Sequence, residues 1–391
     1  MTLLGYLGLA VLLSLRRLDV SSEGVLRQIS PVTWEILRLA LVTLGLLNLP
    51  SIISTGFNLA GRPQPGWLTS KMRWLNWSIV LFAALLVVGT LLGDATNTLP
   101  TIQALLTVLG ILLPALWLTH LGSAHLWGTH PQRDFGMLTF SLGFSTLLIL
   151  IIELVVLFLA MAGFGFMASG NPQIQQTLQE MMELIQGYGS DLESTTEVLK
   201  SLLLNPTIMG AVLILISGLI PLIEEAFKTL GVWFLVKNKV SPMEGYIAGL
   251  MSGAGFALVE GLLNATQVAG GNSADWLAFL LGRFGGTLLH VFNGGLLGWA
   301  LAKTWNDRKG WRAAGIYLLT VVIHGLWNAF AVLGGVSSIL KDAGQTLSVT
   351  SSAIPLVVMI ALLLLAFILF TKKVSSVPAG SSAGEAANLG N

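Results

Sequence analysis

The residues best suited to chemistry are two adjacent glutamates, Glu224 and Glu225, and a lysine, Lys228. They lie inside the apolar run GLIPLIEEAFKTLGVWFLVKNK, Gly218 to Lys239. An ionisable side chain near a bilayer centre costs roughly 2.5–3.5 kcal/mol on insertion scales, so such residues point to function by default. The second half of the chain adds Glu260, Arg283, His290 and His324, with the amides Asn293 and Asn328 just after the two histidines. A carboxylate beside histidines can act on water as a general base. Histidine and asparagine side chains can donate hydrogen bonds to a developing oxyanion. Together they suit hydrolysis of an acyl bond, most naturally a peptide. Glu224 or Glu225 with His290 and His324 also supplies one carboxylate and two imidazoles, a set that suits catalytic zinc. A glutamate-activated water and a zinc-activated water both fit these residue types.

Other chemistries are excluded. The chain has no cysteine, which removes disulfides, thiol catalysis and cysteine-ligated metal. No G-x-S-x-G or H-E-x-x-H occurs, and LLGD at 91–94 lacks the first glycine of an aspartyl G-x-G-D pattern.

Spacing brings the candidates to one depth. Glu224 lies about 13 residues before Lys237, and His290 about 13 before Lys303, each roughly 20 Å from the basic end of its helix. His324 lies about 12 residues after Arg312, roughly 18 Å in. Glu224 and Glu225 point about 100° apart and cannot do the same job, and Lys228 is within reach of either. One carboxylate is therefore expected to pair with Lys228 while the other stays available. Glu260 and Arg283 fall further out, at roughly 25 and 30 Å. They are expected to form an ion pair, with a direct catalytic role as the alternative. Phe256 and Glu260 share a helix face at i,i+4, as do His324 and Asn328.

These residues need helices to hold them. The 391 residues are 54% hydrophobic and 10% charged, with mean hydropathy +0.80; soluble domains are about 25% charged. The composition specifies an all-α polytopic membrane helix bundle of about nine or ten transmembrane helices. Apolar segments fall near 2–15, 33–55, 74–93, 100–120, 136–168, 207–236, 243–264, 275–302, 312–335 and 353–371. The first is short for a bilayer. The N-terminus is apolar first and basic second, the reverse of a secretory signal, so no cleaved signal is expected. The net charge of +1 gives no sign of nucleic-acid binding. Gly245, Gly249, Gly253, Ala257 and Gly261 recur every four residues, as do Gly282, Gly286, His290, Gly294 and Gly298. Such rows let helix backbones approach closely in lipid, and a histidine within one is expected to face the bundle interior.

Basic residues set the orientation. Lys237 and Lys239, then Lys303, Arg308, Lys309 and Arg312, then Lys372 and Lys373 mark alternate loops as cytoplasmic, whereas 265–274 and 336–352 hold only Lys341. The C-terminus is expected in the cytoplasm of a multi-pass cell-membrane protein. Arg16, Arg17 and Arg27 conflict with this if 2–15 spans, which argues against a first span. The chain then divides into N-terminal transmembrane helices of unassigned role (1–168), an amphipathic extracytoplasmic connector (169–205), a catalytic membrane domain (206–372) and a disordered tail (373–391).

At these residues a resemblance appears. EEAFK (Glu224, Glu225, Lys228) resembles the E-E-x-x-K motif of the PrsW intramembrane proteases, and FALVE (Phe256, Glu260) resembles their F-x-x-x-E. His290 stands where the family has a further helix histidine. HGLWN (His324, Asn328) resembles H-x-x-x-D, with Asn in place of Asp. The wider superfamily of CAAX prenyl endopeptidases and CPBP proteins carries E-E-x-x-x-R, F-x-x-x-H and H-x-x-x-N. Thr229 and Glu260 depart from that pattern, and Asn328 agrees with it. The resemblance covers about 200–335. It implies that Glu224 and Glu225 are catalytic acids, that His290 and His324 are essential beside them, and that the substrate is a membrane-anchored protein. An amide is a poorer metal ligand than a carboxylate, so Asn328 favours a metal-free mechanism. Two other classes compete: a proton-coupled transporter, which would need a counterpart of the EEAFK helix in residues 1–200, and a non-catalytic membrane scaffold.

Overall fold

The structure is a computed structural model. It describes residues 2–18, 30–69, 73–93, 99–123, 130–168, 204–238, 240–342 and 349–376, with a few isolated positions between 170 and 179. Most of the connector expected at 169–205 and most of the tail lie outside the described residues. Helices account for 92% of the structure, with no strand among the described residues. Among the described residues eight helical stretches are long and apolar enough to cross a membrane, in keeping with the expected all-α polytopic bundle. The first helix, Thr2–Leu18, is not among them. Nor is Ser273–Asp307, which is long enough but carries Asp275, Arg283, His290 and Asn293.

In chain order the helices are α1 (Thr2–Leu18), α2 (Pro31–Leu46), α3 (Leu49–Leu59), α4 (Gly66–Thr69), α5 (Trp77–Leu92), α6 (Pro100–Ser123), α7 (Pro131–Phe140) and α8 (Thr146–Ala168). They continue with α9 (Pro206–Ile214), α10 (Ile220–Lys228), α11 (Leu230–Trp233), α12 (Pro242–Asn264), α13 (Ser273–Asp307), α14 (Gly310–Asp342) and α15 (Val349–Ser375). The last helix continues three residues past the expected boundary at 372. Sequence signals set the starts. Ser241 and Glu244 form a reciprocal capping box at α12, with Pro242 in the first turn. Asn205 caps α9 through the backbone N–H groups of Thr207 and Ile208, and Asn272 caps α13 through that of Asp275.

The chain divides into two compact units. The first holds Met1–Thr146, Phe227–Ile316 and Leu363–Asn391; the second holds Leu147–Ala226 and Tyr317–Leu362.

In the first unit α12 lies against α13 along the two glycine rows. A Cβ at Gly249 would sit 2.1 Å from the Gly294 carbonyl oxygen, and one at Gly245 would sit 2.5 Å from that of Gly298. Lipid supplies no hydrophobic drive between helices, so such backbone contact carries the packing. Gly282 is not part of the seam, since nothing lies within 4 Å of its would-be Cβ. Residues ahead of 146 buttress this pair. Trp276 of α13 donates its indole N–H to Thr107 at 3.0 Å and fills the space a side chain at Gly89 would take. Leu280 lies against Gly110, and Ser141 donates to the Ser252 carbonyl at 2.6 Å. The N-terminal helices, unassigned from the sequence, are thus the frame of α12 and α13. In the second unit α9 passes through a π-turn, Leu215–Leu219, into α10. That stretch packs on α14, where a Cβ at Gly325 would lie 2.2 Å from the Ser217 carbonyl oxygen.

Gly253→Val would place its Cβ against the His290 carbonyl, 2.1 Å away, where only backbone could yield. It is expected to cost about 1–3 kcal/mol or more, read as a lower thermal midpoint in detergent, while Gly282→Ala leaves the midpoint unchanged.

Candidate functional site

Two clusters of polar side chains lie among the helices, one in each unit. In the second unit Glu225 and His324 are buried, and Glu225 Oε1 lies 2.9 Å from His324 Nδ1. The other ring nitrogen, Nε2, lies 3.6 Å from Glu224 Oε2. Glu225 thus fixes the ring through one nitrogen and turns the other toward Glu224. The lower part of α14 supplies two further ties to the glutamate helix. Tyr317 donates its hydroxyl to the Leu222 carbonyl at 2.8 Å, and Asn328 donates its amide to the Ile216 carbonyl at 2.9 Å. Tyr317, His324 and Asn328 recur at 7- and 4-residue steps, so they share one stripe of α14.

In the first unit the centre is His290. Its Nε2 lies 3.0 Å from Glu260 Oε2, and its Nδ1 lies 3.5 Å from the Lys228 ammonium. Arg283 grips Glu260 with both guanidinium nitrogens, at 3.1 and 2.8 Å, the bidentate geometry of a strong charge-assisted pair. Phe256 meets the imidazole edge-on, with ring centroids 4.9 Å apart. Ser252, Phe256 and Glu260 follow at four-residue steps and line one face of α12. Ser252 donates to the Lys228 carbonyl at the end of α10, occupying a helix-terminal acceptor. Asn293 is buried one turn after His290.

The expected Glu260–Arg283 ion pair is present, and Glu260 does more than the sequence suggested: it also holds His290. The contact of Lys228 with His290 was not foreseen. Nor was Pro221, three residues before Glu224. A proline in an apolar helix next to two acids was the available signal. The amide of Asn328, read from the sequence as an oxyanion donor, reaches a backbone carbonyl.

The side chains meet the demands of a metal. Ligating histidines commonly give their second nitrogen to a carboxylate, which fixes tautomer and orientation. Both histidines do so, His324 through Glu225 and His290 through Glu260. The 3.6 Å between Glu224 Oε2 and His324 Nε2 is long for a hydrogen bond. It is close to the roughly 3.3–3.5 Å that separates two ligand atoms on one tetrahedral zinc.

The sequence itself carries a family signature over this region. Residues 184–367 match the model of the PrsW family intramembrane metalloproteases. The match covers a little under half of the chain and takes in Glu224, Glu225, Lys228, Glu260, His290 and His324. It supports a peptidase acting within a membrane. No curated protein and no solved structure matches the chain. The PrsW-matched stretch begins after α1–α8, so the buttress on α12 and α13 comes from outside it.

Arg283→Met leaves the Glu260 carboxylate without its guanidinium partner, whereas Glu260→Gln with Arg283→Met removes both charges. The double variant is expected to be more stable than the sum of the single changes predicts, by about 0.5–3 kcal/mol, measured as a double-mutant cycle on unfolding.

Proposed function

We propose that the protein is an endopeptidase that cuts a membrane-anchored protein within or beside the bilayer, with Glu224, Glu225, His290 and His324 as its catalytic groups. The observation that carries this reading is the Glu225–His324 bond of 2.9 Å, which turns the second ring nitrogen toward Glu224. Glu225 is fully buried and orients the imidazole. Glu224 is the more accessible carboxylate and acts as the general base. Helix α10 carries both glutamates and, one turn on, Lys228, whose ammonium faces His290 in the first unit. The residue types of the two clusters and their shared place in the PrsW-matched stretch are what support assigning them one reaction.

In the reaction Glu224 takes a proton from water as the oxygen attacks the scissile carbonyl carbon. Lys228 and His290 stabilise the negative charge on the carbonyl oxygen. The C–N bond then breaks, and the proton passes to the departing amine. Glu224, His290 and His324 are the residues that would hold a divalent ion, which would supply Lewis-acid polarisation of the carbonyl. Glu225 and Glu260 set the histidine orientations, and Arg283 and Phe256 hold Glu260 and His290 in turn.

Glu224→Gln, Glu225→Gln, His290→Ala and His324→Ala are each expected to lower cleavage of a single-span substrate in proteoliposomes by about 10²–10⁴-fold. Wild-type rates in all four would remove the assignment. Elemental analysis of the purified protein is expected to show about one zinc per chain, reduced in His324→Ala; no metal in an active preparation would leave Glu224 and water alone. We further infer that the C-terminus is cytoplasmic. The natural absence of cysteine allows a direct check. A cysteine in place of Gly270 is expected to react with an impermeant maleimide added outside cells, and one in place of Ser376 only after lysis.

A further inference from the structure

Pro221 creates a local deficit in the helix that carries Glu224 and Glu225. In the π-turn ahead of it, the Ile220 N–H donates five residues back to Leu215. The next backbone nitrogen belongs to Pro221 and has no hydrogen to give. In π register an N–H there would serve the Ile216 carbonyl, five residues before, and in α register the Ser217 carbonyl, four before. A carbonyl left without that bond within an apolar helix is costly.

Both carbonyls are turned to α14. Ile216 accepts the Asn328 amide at 2.9 Å. Ser217 reaches the backbone at Gly325, where a side chain would meet its oxygen at 2.2 Å. Between these two contacts in sequence stands nothing but one helical turn, and His324 is the residue immediately before Gly325. The Tyr317 hydroxyl on the Leu222 carbonyl grips the same helix from the other end of the stripe. The helix bearing the acids is thus tied to the helix bearing His324 through its own orphaned backbone.

We propose that Asn328 is a positioning residue that supplies the hydrogen bond Pro221 removes, and so holds the Glu224–Glu225 turn in register with His324. This rests on the reading of those three residues as active-site groups, but it assigns Asn328 a task away from the reacting atoms. The chemistry demands a neutral donor. An aspartate of the same shape would bring carboxylate oxygens against the Ile216 carbonyl, and an alanine would leave that carbonyl empty.

The test is backbone hydrogen exchange on the full chain in nanodiscs, followed over residues 216–226, for wild type, Asn328→Ala, Asn328→Asp, Pro221→Ala and the Pro221→Ala/Asn328→Ala pair. Asn328→Ala and Asn328→Asp are expected to exchange about ten-fold faster there. In the Pro221→Ala background, where residue 221 regains its N–H, Asn328→Ala is expected to change exchange by less than about three-fold. An unchanged rate in Asn328→Ala overturns the proposal, as does an equally large effect in both backgrounds. If Asn328→Ala does not fold, recovery of a folded protein on adding Pro221→Ala supports it and failure to recover overturns it. Because exchange and folding are read rather than cleavage, the result is separate from any peptidase assay.

Discussion

A polar group at the depth of a bilayer has no water to turn to, so it must find its partner in the protein or stay neutral. The arrangement of both clusters follows from that constraint. Glu225 is met by His324, and Glu260 is met on one side by Arg283 and on the other by His290. Even the backbone obeys it: Ser252 covers the last carbonyl of α10, and Asn328 covers one that Pro221 leaves open. Each partner that satisfies a charge or carbonyl also fixes a direction. Two imidazoles end with one nitrogen committed to a carboxylate and the other presented to Glu224 or to Lys228. Orientation for chemistry and satisfaction of buried polarity are here the same set of bonds.

Such bonds work only if the helices come close enough and stay there. Glycines on α12 and α13 remove the side chains that would hold the two backbones apart, and the His290 carbonyl itself rests on Gly253. A site on rigid, tightly packed elements keeps its geometry better than one on loops. The helices before residue 146 serve the same end. Thr107, Gly110 and Ser141 engage Trp276, Leu280 and Ser252, and so press α12 and α13 together from outside the PrsW-matched stretch.

Much of this was legible in the sequence because membranes simplify the code. Apolar length gave the helices, and the cost of intramembrane charge singled out Glu224, Glu225, His290 and His324 without structural help. The glycine rows announced the α12–α13 seam. Pairwise facing was harder to read. Counting residues from the basic ends placed Glu260 some ångströms outside His290, yet the two side chains meet, because a glutamate and an imidazole together span that difference. Asn328 was read as an oxyanion donor because an amide beside a histidine suits that task. Its true neighbour is a carbonyl freed by a proline on another helix, and no spacing rule within HGLWN could show that. Helix α13 shows that a helix can carry charged and polar residues and for that reason fall short in apolarity.

The central claim is that Glu224, beside His324, and His290, held by Glu260, serve one reaction. A double-mutant cycle on kcat/KM for cleavage of a reconstituted single-span substrate tests it most directly, with Glu224→Gln, His290→Ala and the pair together. Groups acting as a unit are strongly non-additive. The account predicts that the double variant is no slower than the slower single variant. Losses that multiply in full would contradict it and would make the two clusters independent.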